Sequence, residues 1–434
     1  MNVAKRAVTL FIFVSMTMLV LLNWISNQDN EFDSSENGRF GKKIIYDYET
    51  SKTHQLKGQD TRKGITASAS KLKPSYPEHG NVNPSNSHVK VILLGNMRTG
   101  SSYVGEIFNQ NPDFFYVFEP LHAVDKRYEI SPSEQTSSGI VAKYASALRN
   151  IPKCKFSSNF VSDLSDWGLS KKMSNDISDL CKKRTRSCKK FSVSEARAFV
   201  VQLSRECQSR KHFATKTIRA DFSLMKILLE GGMDFKIIQL IRDPRAVANA
   251  RKNYYKTSVE NLIKQSGSRM DAAILNSPNL TLYDVEHSSL SVRTIQSYCK
   301  WIWNSMGWID EKPEWLRNRY KLIRYEDFVM DPIKISKQIY DFIGVPYHER
   351  VQSWLVDANK IENTNRDLFQ TRKKKSVEEL FLWRKMLTYA EIKEVQDTCA
   401  GVLQSLGYTK LNNERELKDD NIQMLSSIEF EERR

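Results

Sequence analysis

The loop Gly95-Asn96-Met97-Arg98-Thr99-Gly100-Ser101-Ser102 follows directly on the run Val89-Lys90-Val91-Ile92-Leu93-Leu94. After it, Val104, Ile107 and Phe108 recur at helical spacing. A β-branched and aliphatic run of this kind fills a strand buried on both faces, which is the environment of a parallel sheet. Strand, glycine turn and helix in that order make an anion site, because the helix start aims backbone N–H groups at whatever lies in the turn. No other feature narrows the architecture as much.

The rest of the chain extends this beginning. Ser101–Gln110 is expected to be helical and Phe114–Phe118 to be a second strand. Further on, Asp221–Glu230 reads as a helix ended by Gly231-Gly232, and Phe235–Ile241 as another buried strand terminated by Arg242-Asp243-Pro244. Tyr320–Arg324 is a fourth candidate strand, with helices at Ile333–Ile343 and Thr388–Leu406. The expected fold class is α/β, a P-loop-type parallel sheet flanked by helices on both faces, with ligands at the carboxyl ends of the strands. No internal repeat is visible.

The loop has the glycine spacing of a Walker sequence but lacks its lysine: Ser101 follows the second glycine, and the cation, Arg98, sits inside the loop. That counts against an ATP- and magnesium-dependent phosphotransferase, as does Arg242-Asp243-Pro244 where a magnesium-binding aspartate belongs. Glycine spacing alone would fit a surface turn; strand before, helix after and an internal cation favour a site.

The compartment is set by the first residues. Residues 1–6 are read as a cytosolic tail and 7–25 as a transmembrane signal-anchor, because Ala7–Trp24 is uncharged and long enough to cross roughly 30 Å of hydrocarbon. Lys5 and Arg6 precede it, which places the remainder in the lumen. A cleaved signal peptide would end in small residues, whereas this run ends in Asn23-Trp24-Ile25. Residues 26–87, rich in Ser, Asn and Lys, read as a largely disordered stem, 88–410 as the folded domain and 411–434 as a polar C-terminal tail. The lumen permits disulfides, so the six cysteines read as structural bridges; no Cys-x-x-Cys pair or histidine cluster suggests a metal. Asn279-Leu280-Thr281 is a glycosylation sequon. A net charge of +15 implies an anionic partner. Nucleic acid is the weakest choice for a lumenal domain.

Three stretches carry a resemblance: GNMRTGSSYVGEIFNQNPDFFYVFEPLHAV from Gly95 to Val124, FKIIQLIRDPRAVANAR from Phe235 to Arg251, and YKLIRYEDFVMDPIKISKQIYDFIGVPY from Tyr320 to Tyr347. Together they resemble the carbohydrate sulfotransferases, and within them the galactose, N-acetylglucosamine and N-acetylgalactosamine 6-O-sulfotransferases. The resemblance implies a Golgi membrane enzyme of single-pass type II topology. Its co-substrate would be 3′-phosphoadenosine 5′-phosphosulfate (PAPS), no metal would be needed, and the acceptor would be a glycan or glycosaminoglycan.

It implies further that Arg98, Thr99, Gly100, Ser101 and Ser102 hold the 5′-phosphosulfate, Arg98 standing beside the bridging oxygen. Arg242 would grip the 3′-phosphate. The family's serine eight residues after that arginine is Ala250 here, so Asn249 or Arg251 would have to substitute, or donor affinity is reduced. Glu119, after the second strand, is the first candidate for the general base, and His122 the second. Lys216, in Lys216-Thr217-Ile218-Arg219, would neutralise the donor or the developing charge; the alternative is a solvated basic face. Trp301, Trp303 and Trp308 are expected to pack in the core rather than stack on sugars. A lumenal glycan-binding protein without activity is the other reading the departure at Ala250 leaves open.

Overall fold

The computed structural model describes residues 88–130, 134–135, 137–167, 174–184, 191–266, 294–360 and 377–427. The segments read as anchor and stem, Asn279 and the final residues of the chain lie outside them.

Five strands form one parallel sheet in the order β2-β3-β1-β4-β5: β1 Lys90–Leu94, β2 Phe114–Phe118, β3 His212–Thr217, β4 Lys236–Ile241 and β5 Tyr320–Arg324. Side chains alternate across a pleated strand. Ile92, Leu94, Phe115, Val117, Phe213 and Ile237 accordingly join one buried cluster, and Val91, Leu93, Phe114, Tyr116, Ala214, Ile238 and Leu240 another. A third cluster around Ile241, Tyr298, Ile302, Trp383 and Leu403 lies beyond the end of β4.

Most expected elements are present. Helix α1, Ser101–Asn109, follows the glycine loop, and α2, Pro120–Tyr128, follows β2. Helix α3, Phe222–Glu230, precedes β4, and α4, Pro244–Ser266, leaves it. Strand β3 departs from expectation: HFATKT is too polar to read as a buried strand, yet Thr215 and Thr217 are fully buried and Lys216 is 4 % exposed. Their polar groups are satisfied within the fold, with Thr215 Oγ1 donating to the Val117 carbonyl at 2.8 Å. The segment expected as one helix over 388–406 is two, Tyr389–Thr398 and Ala400–Ser405, divided at Cys399. That cysteine is bonded to Cys299 on Ile295–Glu311, and a second disulfide joins Cys154 to Cys207. Closing loops of 53 and 100 residues constrains the unfolded chain by roughly 4 kcal/mol each in the chain-entropy account.

One expectation is corrected, the burial of all three tryptophans. After residue 410, Leu411, Leu417, Met424 and Leu425 are buried, and Tyr408 pairs with Leu425 in an antiparallel bridge. Spaced apolar residues in an otherwise charged segment were enough to pack it. Trp303 is 51 % exposed and lies against Gly401, where a Cβ would stand 2.8 Å from the indole. Trp301 and Trp308 are partly buried against the first cluster, and Trp301 Nε1 donates to the Ala220 carbonyl at 3.1 Å.

Candidate active site

The strand registers set Leu94 opposite both Thr217 and Gln239, Phe118 opposite Lys216, and Ile241 opposite Arg324. Everything the chain places just after a strand therefore emerges along one edge of the sheet. The glycine loop, Glu119, Arg219, Arg242 and Tyr325 all do so.

The loop is built from inside. Thr99 is fully buried, and its hydroxyl donates to the Asn96 carbonyl at 2.9 Å while accepting the Asn96 N–H at 3.3 Å. It shapes the turn rather than facing it. A Cβ on Gly95 would come within 2.8 Å of Ser101 Cβ, and one on Gly100, whose φ is +87°, within 2.2 Å of the Tyr325 ring. Only glycine lets the backbone curl this closely. Ser101 is buried and Ser102 half-buried in the first turn of α1, where helix N–H groups point back at the loop. Arg98 itself is left-handed, with φ 70°, a conformation that costs a non-glycine residue about 1 kcal/mol or more.

Arg242 lies on the loop's far side. One of its terminal nitrogens donates to the Arg98 carbonyl at 3.2 Å, its guanidinium sits 4.9 Å from the Tyr325 ring centre, and its buried Nε has no hydrogen-bond partner among the described residues. Arg98 sits 5.9 Å over the Tyr254 ring, and burial, then the Arg242 charge, lower its pKa. Two guanidinium groups brought together here suit a multiply charged anion. Arg251 does something else: fully buried, it donates to the carbonyls of Met97 and Thr294 and to Asn96 Oδ1, and so braces the loop from behind. Asn249 is 7 % exposed and Ala250 half-buried on α4.

On the other half of the edge, Lys216 is no solvated basic residue. Its Nζ donates to Glu119 Oε1 at 2.6 Å and lies 4.6 Å from the Phe118 ring centre. Arg219 binds Glu119 Oε2 and Asp125, both at 2.6 Å, and Asp125 also accepts from Tyr144 and Gln135. Burial alone would raise the Glu119 carboxyl, but Lys216 and Arg219 overcome it and hold the group below the usual carboxylate range. Glu119 is left-handed as well, with φ 48°, at the start of α2. His122, one turn on, is kept neutral by burial and by Arg219.

Arg98, Ser101, Ser102 and Arg242 thus gather at one place, and Glu119, Lys216 and His122 at another on the same edge. Sequence reasoning did not single out Arg219, Asp125, Tyr325 or Glu326. Arg219 closes the quoted Lys216–Arg219 segment, and Tyr325-Glu326 stands within the third resembling stretch, so their position after a strand was the available signal.

Residues 88–410 match the family described as the sulfotransferase domain. The chain is 26% identical over 362 residues to carbohydrate sulfotransferase 5 of Mus musculus, covering 78% of this chain and 85% of that one. It is 28% identical over 366 residues to carbohydrate sulfotransferase 1 of Danio rerio, covering 78% and 82% respectively. With carbohydrate sulfotransferase 6 of Homo sapiens the identity is 27% over 372 residues, covering 80% and 86%.

Proposed function

The chain belongs to the sulfotransferase domain family, and on that premise we propose that it transfers a sulfuryl group from PAPS to the carbon-6 hydroxyl of galactose, N-acetylglucosamine or N-acetylgalactosamine in a glycan or glycosaminoglycan. The observation that carries this reading is the convergence of Arg98 and Arg242 on a glycine loop at a helix start, with the buried Arg242 Nε unpartnered among the described residues. Such a cradle fits a 5′-phosphosulfate in the loop and a 3′-phosphate against Arg242.

In the proposed reaction the acceptor oxygen attacks sulfur in line, and the bond from sulfur to the bridging phosphate oxygen breaks. The electron pair leaves with 3′-phosphoadenosine 5′-phosphate (PAP). Arg98 faces the charge that grows on the bridging oxygen. Glu119, ionised by its two cations, accepts the hydroxyl proton as Lys216 turns from Oε1 toward the departing group. His122, neutral and one turn away, is the second candidate for that proton. Arg242 takes the 3′-phosphate without help from Arg251, whose donors are occupied within the protein. Relatives named as carbohydrate sulfotransferases support a sugar acceptor. Disulfides support an oxidising compartment, in keeping with a Golgi lumenal domain anchored through residues 7–25.

Full-length chain incubated with radiolabelled PAPS and a panel of glycans tests the proposal. Label should appear on sugar, and should vanish in Arg98→Ala. Transfer of phosphate from ATP would move the protein to the phosphotransferase class, and PAPS binding without transfer to any glycan would favour a binding protein.

A further inference from the structure

The Tyr325 ring touches both halves of the donor cradle. It lies where a Gly100 Cβ would be, 2.2 Å away, and it carries the Arg242 guanidinium at 4.9 Å from its centre. The residue is fully buried, at the point where β5 gives way to the helix Tyr325–Met330. The next residue completes the hold: Glu326 Oε1 accepts the Asp243 N–H at 3.0 Å, which fixes the backbone immediately after Arg242. Arg242 is thereby held through its side chain by one residue, while the next pins the adjoining backbone and the Tyr298 hydroxyl binds the Arg242 N–H and carbonyl, both at 2.9 Å.

Two guanidinium groups in one cradle repel each other, and burial and then the Arg242 charge already lower the Arg98 pKa. A carboxylate under Arg242 would relieve that repulsion but would compete with the ligand. An aromatic face attracts the cation through its quadrupole and adds no net charge. We propose that Tyr325 is a positioning residue for the donor, whose ring face holds Arg242 toward the 3′-phosphate while closing the floor under Gly100. The inference rests on the PAPS reading above. Its action through Arg242 predicts selectivity: the ring should matter for a nucleotide bearing a 3′-phosphate and not for one without it.

The test is titration of PAP and of adenosine 5′-phosphate against full-length wild type, Tyr325→Phe, and chains carrying mono-, di- and trifluorinated phenylalanine at position 325. Fluorine drains the ring face with little change of shape, so the fold is kept and a merely structural ring would show no trend. Tyr325→Phe should bind PAP within about two-fold of wild type, because the hydroxyl is not the contact. Stepwise fluorination should weaken PAP by a total of roughly 3- to 30-fold. Adenosine 5′-phosphate should be unmoved, and the effect on transfer should fall on the KM for PAPS rather than on kcat. Equal losses for both nucleotides, or no loss for PAP, would overturn the positioning role. A wild type that does not prefer PAP over adenosine 5′-phosphate would instead overturn the donor-site reading, and that result is seen before any variant is compared.

Discussion

The two halves of the active edge handle positive charge in opposite ways. Beyond β2 and β3, Lys216 and Arg219 are matched by the carboxylates of Glu119 and Asp125 at 2.6 Å. Beyond β1, β4 and β5, Arg98, Arg242 and Arg251 rest on the rings of Tyr254, Tyr325 and Tyr298 and on main-chain carbonyls. Of the acids described nearby, Asp243 grips Arg245, and Glu326 accepts from the Asp243 N–H and the Tyr408 hydroxyl while the Arg242 charge opposes part of the effect of its burial. Rings and carbonyls hold a guanidinium in place without cancelling its charge, whereas carboxylates do both. The first half is arranged to hold an ionised carboxylate ready for a proton, and the second to gain from an incoming anion.

That contrast has consequences of decreasing size. Lys216→Ala strips a buried carboxylate of one cation and should cost about 3 to 5 kcal/mol of stability, read as a large fall in Tm. Arg242→Ala should leave Tm nearly unchanged yet weaken PAP by roughly 30-fold or more, since charge-assisted contacts of this kind are worth about 2 kcal/mol or more. Similar melting of both variants would break the comparison.

Glu326 supplies a pH dependence. Burial, then Asp243, raises its pKa from 4.5 to about 7. A carboxyl raised on folding favours the folded state below its unfolded pKa and loses that contribution as pH rises through the folded value. Glu326→Gln should therefore be more stable than wild type at pH 8, by roughly 3 kcal/mol, with the gap closing as pH falls toward 4.5. Denaturant melts at a series of pH values check this, and a constant gap would show that the carboxyl does not titrate on folding. The smallest effect is Ala250→Ser, which should tighten PAP by a few-fold, about 1 kcal/mol for one restored hydrogen bond, measured by calorimetry. No change would mean that the 3′-phosphate lies away from α4.

The donor half was the more legible in the sequence. Glycines at 95 and 100, the aliphatic run before them and Arg242 at a strand end are local signals, and each follows from backbone sterics or strand burial. The acceptor half depends on β3, whose Thr215 and Lys216 look unlike a buried strand because they bond partners some hundred residues away, Val117 and Glu119. Arg251 shows the same limit: nothing in its sequence position foretold that its guanidinium braces the loop through Met97 and Asn96. The packing of Leu411, Leu417, Met424 and Leu425 was not legible because four apolar side chains among many charged ones give no periodic pattern.

A crystal structure of the chain with PAP bound tests the central claim most directly. It should place the 5′-phosphate in the Gly95–Ser102 loop beside Arg98 and the 3′-phosphate on Arg242. A nucleotide bound elsewhere, or one whose 3′-phosphate sits among Lys216 and Arg219 instead, would contradict the division of the edge into a donor half and a proton-handling half.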